Sequence, residues 1–394
     1  MLLRFAPRPA GARPFLSPTG RRLLAHVTNV ESIPKLYHDM SMIRRMELAA
    51  DNLYKQRKIR GFCHLSTGQE AVAVGIEHGI TKHDKLITAY RSHGFTLMRG
   101  GTIKSIIGEL LGRRDGISFG KGGSMHMFCE SFFGGNGIVG ANVPLGTGIA
   151  FAQQYNDAGN VTINLYGDGA ANQGQVFESF NMAKLWNLPV IFGCENNKYG
   201  MGTSVERASA MTEYYKRGQY IPGLRVNGMD VLAVLAAIRH GKRFVQAGNG
   251  PLLYEYQTYR REEVQSERSN DPISNLKERL VDWGVMAEDE AKAIDKDVRE
   301  KVNEEVSEAE KMPDPEPRLD VLFEDIYVRG SEPSQRREGP WARVTEVIGQ
   351  AHTMLHRQGT VRIQTDVRIT TRTDRQQAMN EPVEKVRSLM QSGG

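Results

Sequence analysis

The residues whose types and spacing best suit a chemical task are Asp168, in Gly167-Asp168-Gly169, and Asn197, in Asn196-Asn197, with the 26 residues 170–195 between the two runs. Each run follows a short apolar stretch, Val161–Tyr166 and Val190–Cys194, and so reads as the turn after a β-strand. If the two strands are parallel neighbours, the carboxylate and the amide leave the sheet at the same end and can touch one ion. Magnesium, a small hard cation, wants octahedral oxygen ligands and usually combines one or two carboxylates with substrate phosphates. Asp168, the amide oxygen of Asn197, a backbone carbonyl from the turn after Asn197 and diphosphate oxygens would make such a set. Gly167 and Gly169 let the backbone turn sharply and come close to phosphate. Taken singly, a Gly-Asp-Gly is usually a plain turn and an Asn-Asn pair a helix entry; the conjunction, with a strand before each, is far more specific.

Such a site needs a β-α-β unit, with the intervening amphipathic helix running through Phe177 and Leu185. Apolar runs recur at Leu86–Tyr90 and Leu252–Tyr256 between helical stretches. That alternation predicts an α/β fold, a mainly parallel sheet with helices on both faces. In such sheets ligands bind outside the carboxyl ends of the strands. There Tyr90-Arg91-Ser92-His93-Gly94, the Gly-Asp-Gly turn and Asn196-Asn197-Lys198-Tyr199-Gly200 should gather. Upstream, Ser32–Ile59 predicts a helix, with Ile33, Leu36, Tyr37, Met40, Ile43 and Met46 at steps of three or four, and Gly61–Glu70 a turn-like segment opening a second one. Met286–Glu310 predicts a charged helical C-terminal segment with one narrow apolar stripe, Ala291, Ile294, Val298, Val302 and Val306, packed on the core domain. The Gly146-Thr147-Gly148-Ile149-Ala150 run starts a helix whose small residues suit either close approach of a neighbouring subunit or tight packing in the chain's own core.

At 394 residues the chain is enzyme-sized, and its 41 glycines imply many close backbone approaches. A net charge of +5, part of it at the two ends, gives a nucleic-acid role no support. Cys63, Cys129 and Cys194 are too scattered for a zinc site and too few for a disulfide framework. The longest weakly polar run, Gly134–Ala152, contains Asn136, Asn142 and Pro144, which argues against a membrane span. Before the first acid, Glu31, come Arg4, Arg8, Arg13, Arg21 and Arg22 with apolar residues between them, the pattern of a mitochondrial presequence over about residues 1–28 and hence of a matrix protein.

From about Ser32 to Glu332 the sequence resembles the α subunits of the E1 components of thiamin-diphosphate-dependent 2-oxo-acid dehydrogenases, and the run from Gly167 to Asn197 resembles their thiamin-diphosphate fingerprint. The resemblance implies the thiamin-diphosphate-binding fold over residues 29–330, with a core at about 45–260 and a helical extension at 262–310, followed by a divergent tail at 331–394. It implies magnesium (Mg2+) on Asp168, Asn197 and the main chain of Tyr199, with Gly169 and Ala170 against the diphosphate. Tyr90 and Arg91 match a pair that binds the diphosphate, and a planar guanidinium suits that task. Gly137 and Val139, in Gly134-Gly135-Asn136-Gly137-Ile138-Val139-Gly140, match main-chain contacts to the aminopyrimidine ring. His64 matches a histidine facing the reacting carbonyl, and Cys129 stands where relatives carry alanine beside the cofactor. The implied reaction is decarboxylation of a 2-oxo acid and reductive acylation of a lipoyl group on an E2 acyltransferase. The Gly61–Glu70 and Gly120–Gly140 segments look more like the pyruvate-acting members than the branched-chain ones.

The cofactor-activating glutamate of such enzymes lies on the E1 β subunit, so the implied assembly is an α2β2 heterotetramer. Ser204 matches a phosphorylation site, which implies a regulatory kinase and phosphatase. Two departures stand out. After Tyr259, relatives continue with a loop of the type Arg-Tyr-His-Gly-His-Ser-Met-Ser-Asp-Pro, whereas here Arg260 and Arg261 close the gap directly. The loss of that loop predicts weak cofactor binding and low turnover, and leaves open a non-catalytic partner that competes for β subunits. The tail beyond residue 330 is the second departure, with arginines spread through it and only fragmentary alternation over Val361–Ile369.

Overall fold

The computed structural model describes residues 32–259 and 270–317, together with 321, 325, 349, 350 and 353. The segment expected to be a presequence, the junction at Arg260-Arg261 and nearly all of the tail therefore lie outside the described residues. The chain divides into two compact units, Met1–Glu316 and Pro317–Gly394, and the first carries every element named below.

In order, these are α1 (Ile33–Lys55), α2 (Glu70–Glu77), β1 (Lys85–Ile87), α3 (His93–Arg99), α4 (Ile103–Leu110), α5 (Asn142–Tyr155), β2 (Thr162–Gly167), α6 (Gly174–Leu185) and β3 (Val190–Asn196). A two-stranded hairpin follows, β4 (Tyr199–Gly200) and β5 (Thr203–Ser204), and then α7 (Val205–Ala208), β6 (Gly223–Asn227), α8 (Val231–Phe244), β7 (Leu252–Gln257), α9 (Pro272–Asp282) and α10 (Glu288–Glu310). The main sheet runs β1-β2-β3-β7-β6, with every pairing parallel.

Alternation decides which face each strand residue serves. Ile163, Leu165 and Ile191 join a core beneath α1, α2 and α8, while Tyr166, Val190, Phe192 and Cys194 join another with Val143 and Ala150 of α5 and Val176 and Phe180 of α6. With both faces covered, β2 and β3 read as continuous apolar runs, as parallel strands do. Edge strand β6 buries only Val226, which explains why its sequence carries so little strand signal.

The charged helix expected at 286–310 is α10. Ala291, Val298 and Val302 are buried, Ile294 and Val306 are partly so, and the stripe packs with α1 and α4. Tyr37 Oη donates to Asp295 Oδ1 at 2.8 Å, a polar tie across the α1–α10 packing. Helix α9 has the N-cap Asp271, whose side chain accepts from Ile273 N and Ser274 N, with Pro272 at its first turn.

The Gly146–Ala150 run lies inside α5 rather than at its start, because the helix already begins at Asn142. Gly146 faces its own sheet, where an added Cβ would sit 2.4 Å from Asn164 Nδ2 and 2.8 Å from Ile87 Cγ2. Gly148 is exposed, with nothing within 4 Å of such a Cβ. Gly146→Ala should therefore cost about 1–3 kcal/mol through overpacking. Gly148→Ala should gain about 0.5–1 kcal/mol by restricting the unfolded chain. Urea denaturation of the two variants beside the parent chain measures both, and equal stabilities would contradict this packing.

Asp39 sits between two histidines, with His38 Nδ1 2.9 Å from Oδ1 and His78 Nε2 2.7 Å from Oδ2. Burial alone would push its carboxyl up, but the hydrogen bonds from His38 and His78 outweigh that and hold it at about 2, below the ordinary 3.8. A depressed carboxylate contributes stability above its unfolded value, and that contribution is lost as pH falls toward about 2. The stability gap between the parent chain and Asp39→Asn should therefore narrow by about 1 kcal/mol between pH 5 and pH 3. A gap that stays constant in denaturation at the two pH values would refute this assignment.

Candidate cofactor site at the carboxyl edge of the sheet

In the β2–β3 register Gly167 lies opposite Glu195, so Asp168 and Asn197 both follow at the carboxyl edge. Their turns meet directly, since a Cβ added to Gly169 would be 3.7 Å from Gly200 Cα. Asp168 is 3% exposed and Asn197 is half-buried. The turn after β3 is built by its own asparagines: Asn196 Oδ1 accepts from Lys198 N at 3.1 Å, and Asn197 Oδ1 accepts from Tyr199 N at 3.4 Å. Lys198, at φ 68°, takes the left-handed conformation that starts the β4–β5 hairpin. That hairpin pairs Tyr199 with Ser204, so Ser204 stands directly across from Tyr199.

Asn196 Nδ2 donates at 2.8 Å to the buried Glu255 of β7, whose other oxygen accepts from Tyr215 N at 3.2 Å. No sequence spacing announces this support, because it joins residues of different strands. Beside it, burial pushes the Glu195 carboxyl up to about 7 although Arg91 draws it the other way.

The other expected residues come from loops beside the same edge. Thr88 N donates to Gly134 O at 3.1 Å, and a Cβ on Gly135 would lie 2.8 Å from Ala89 O and 2.9 Å from Ser92 Oγ. The segment carrying Gly137 and Val139 thus lies on the loop carrying Tyr90 and Arg91. Its far end, Gly140, approaches Gln173, just after the short 3-10 turn Ala170–Asn172, with 3.1 Å from an added Cβ to Gln173 Cγ. Val139 is 44% exposed, so an apolar side chain is left at the surface there.

The His64 loop joins through Tyr90 and Arg91, since Arg91 Nη1 donates to Leu65 O and the His64 and Tyr90 rings lie 4.6 Å apart. Cys129 belongs to a different neighbourhood: it exchanges backbone hydrogen bonds with Phe132, and its Sγ lies 3.8 Å from Thr96 O. Burial raises its thiol, and the contacts that join the loops above do not run through it.

Both flanks of the junction after Tyr259 are pinned near the His64 loop. Thr258 Oγ1 donates to Gln69 Oε1 at 3.1 Å, while Arg44 binds Glu70 through two nitrogens and Asp271 at 2.8 Å. Among the described residues no group of three or more His, Cys, Asp or Glu side chains forms a metal cage. No helix among them is long and apolar enough to cross a membrane.

Residues 38–318 match the family described as dehydrogenase E1 component. The chain belongs to that family. It is accordingly an enzyme subunit of the thiamin-diphosphate-dependent dehydrogenase class, with the α/β, mainly parallel fold expected of it. Residues 337–387 separately match a family described as thiamine-binding protein. The chain is 64% identical over 319 residues to the pyruvate dehydrogenase E1 component subunit alpha, mitochondrial, of Chaetomium thermophilum, covering 77% of this chain and 78% of that one. It is 58% identical over 325 residues to the protein of the same name from Saccharomyces cerevisiae, covering 78% of this chain and 77% of that one. With the somatic form of that subunit from Sus scrofa it shares 52% over 329 residues, covering 79% and 84% respectively. The mitochondrial location expected from the arginine-rich start is the one these relatives carry in their names.

Proposed function

We propose that this E1-family chain is the α subunit of a pyruvate dehydrogenase and binds magnesium thiamin diphosphate at the carboxyl edge of its sheet. The observation that carries the reading is the β2–β3 register, which brings Asp168 and Asn197 to one edge in a chain whose relatives are named for that activity. The residues present fit such a group. One carboxylate, one amide oxygen and the main chain at Tyr199 are hard oxygen donors, too few to enclose the ion alone, so that phosphate oxygens complete an octahedron. Gly167 has nothing within 4 Å of an added Cβ, and Gly169 meets only Gly200 Cα, which leaves backbone open beside Ala170 for a diphosphate.

When bound, the thiazolium would supply the carbanion chemistry for decarboxylating a 2-oxo acid. The chain's own residues bind and orient. Arg91 offers a cation to the diphosphate with Tyr90 beside it, Gly137 and Val139 offer main-chain groups to the pyrimidine, and His64 faces the reacting carbon. The acid that activates the cofactor comes from an E1 β subunit, and the acetyl group passes to lipoyl-E2. Exposed Leu145, Phe151, Leu185 and Trp186 on and beside α5 and α6 support a subunit interface. A phosphate on Ser204, paired with Tyr199, would set charge beside the diphosphate and oppose it electrostatically.

Co-expression with an E1 β subunit tests the reading. Thiamin diphosphate titrated in Mg2+ should bind the parent assembly, and Asp168→Asn should weaken that binding by about 100-fold, the scale set by loss of a charged metal ligand. Unchanged affinity would remove Asp168 from the site. Pyruvate should be turned over in preference to a branched-chain 2-oxo acid.

We propose in addition that the direct junction at Arg260-Arg261 weakens cofactor retention. Inserting a histidine- and serine-containing loop between Tyr259 and Arg261 should raise thiamin-diphosphate affinity and acylation of a lipoyl domain by about tenfold, the loss of one or two charged hydrogen bonds being restored. Equal values would show that the junction is neutral. Heterotetramer without turnover in the parent would instead favour an assembly role.

A further inference from the structure

We infer that Glu47, His93 and Ser124 form a buried relay that sets the position of His64, and that all three are positioning residues of this enzyme. The inference rests on the reading above in one respect only, the placing of His64 at the reacting carbon.

Glu47, on α1, is 0% exposed, His93, at the start of α3, is 1%, and Ser124 is 8%. His93 Nδ1 lies 3.2 Å from Glu47 Oε2, and His93 Nε2 lies 2.9 Å from Ser124 Oγ. Ser124 Oγ in turn accepts from the backbone N–H of His64 at 2.9 Å. The other oxygen of Glu47 accepts from Ser66 Oγ at 2.8 Å and from Ser66 N at 3.3 Å. One carboxylate therefore holds the His64 loop twice, directly at Ser66 and through imidazole and hydroxyl at His64 itself.

One tautomer of His93 satisfies the whole chain of bonds. In that tautomer Nδ1 of His93 donates to the Glu47 carboxylate. Nε2 then accepts from the Ser124 hydroxyl, whose oxygen accepts from the His64 amide. Every group in the relay is satisfied, and each bond polarises the next in a dry setting.

The order Glu-His-Ser also invites a hydrolytic reading, which the surroundings oppose. A nucleophilic serine needs amide donors to receive an oxyanion. The amides of the two preceding residues, Gly122 N and Gly123 N, already donate to Glu109 Oε1 at 2.7 and 3.0 Å, and the Ser124 oxygen is engaged with His64. The relay is therefore an anchor. It is also coupled to the diphosphate side, because His93 follows Tyr90 and Arg91 in the same loop and Arg91 Nη1 donates to Leu65 O.

The test compares the full chain, co-expressed with an E1 β subunit, with Ser124→Ala, Ser124→Thr and His93→Gln. Hydrogen exchange is followed on the peptide spanning residues 61–68 without cofactor, beside thiamin-diphosphate titration and steady-state kinetics with a 2-oxo acid. Ser124→Ala should speed exchange at His64 about tenfold, as loss of one local hydrogen bond predicts, with Tm lowered by only a few degrees. It should lower kcat by about tenfold with a smaller change in KM and in cofactor affinity, whereas Ser124→Thr, which keeps the hydroxyl, should recover most of the loss. Unchanged exchange in Ser124→Ala, or equal impairment in the Thr and Ala variants, would overturn the relay. Should His93→Gln fail to fold, the two Ser124 variants decide alone. An assembly that binds no thiamin diphosphate would count against the proposed function, while the exchange comparison would still judge the relay.

Discussion

The parallel pairing of β2 with β3 is the constraint from which the rest of the site follows. Parallel neighbours need a crossover, supplied here by α6, and they deliver both chain exits to the same edge. Close packing holds that register. Gly193, in the middle of β3, leaves room for its neighbours, for a Cβ there would lie 2.5 Å from Leu165 Cδ2 on β2 and 2.9 Å from Tyr256 Cε2 on β7. A slip of one residue would turn Ile191 and Phe192 to the wrong layers and separate Asp168 from Asn197.

Apolar packing of Cys63 and Leu65 holds the His64 loop in part, and side-chain polar groups fix the loops at that edge. Glu47, Arg91 and Ser124 fasten the segment containing His64, and Glu255 fastens Asn196. A buried carboxylate is costly unless its oxygens have partners, and both oxygens of Glu47 and of Glu255 have them. Glu109 illustrates the same economy of structure: its two oxygens accept from the backbone amides of Ser118, Gly120, Gly122 and Gly123, and so shape the approach to Ser124. Where function requires irregular backbone, these carboxylates take the place of secondary structure.

The order of the sheet was partly legible. Long apolar runs gave β2, β3 and β7, and the stripe in α10 gave its buried side. Strand β6 escaped notice because an edge strand buries little, and the hairpin from Tyr199 to Ser204 because two-residue strands have no measurable alternation. The backbone pairing of Cys129 with Phe132, and its thiol beside Thr96 O, left no mark in the sequence spacing.

By itself the sequence determined the class of fold, the two turns that follow β2 and β3, and the hard-oxygen character of their residues, because periodicity and turn chemistry are local properties. Only the tertiary structure decided which loops share an edge, that Ser204 stands across from Tyr199, and that Glu47 reaches His64 through His93 and Ser124. Apart from the short Tyr199–Ser204 hairpin, those contacts join residues far apart in the chain. Their partners are chosen by the register of a parallel sheet and by the need to satisfy each buried polar group, and neither leaves a mark in spacing.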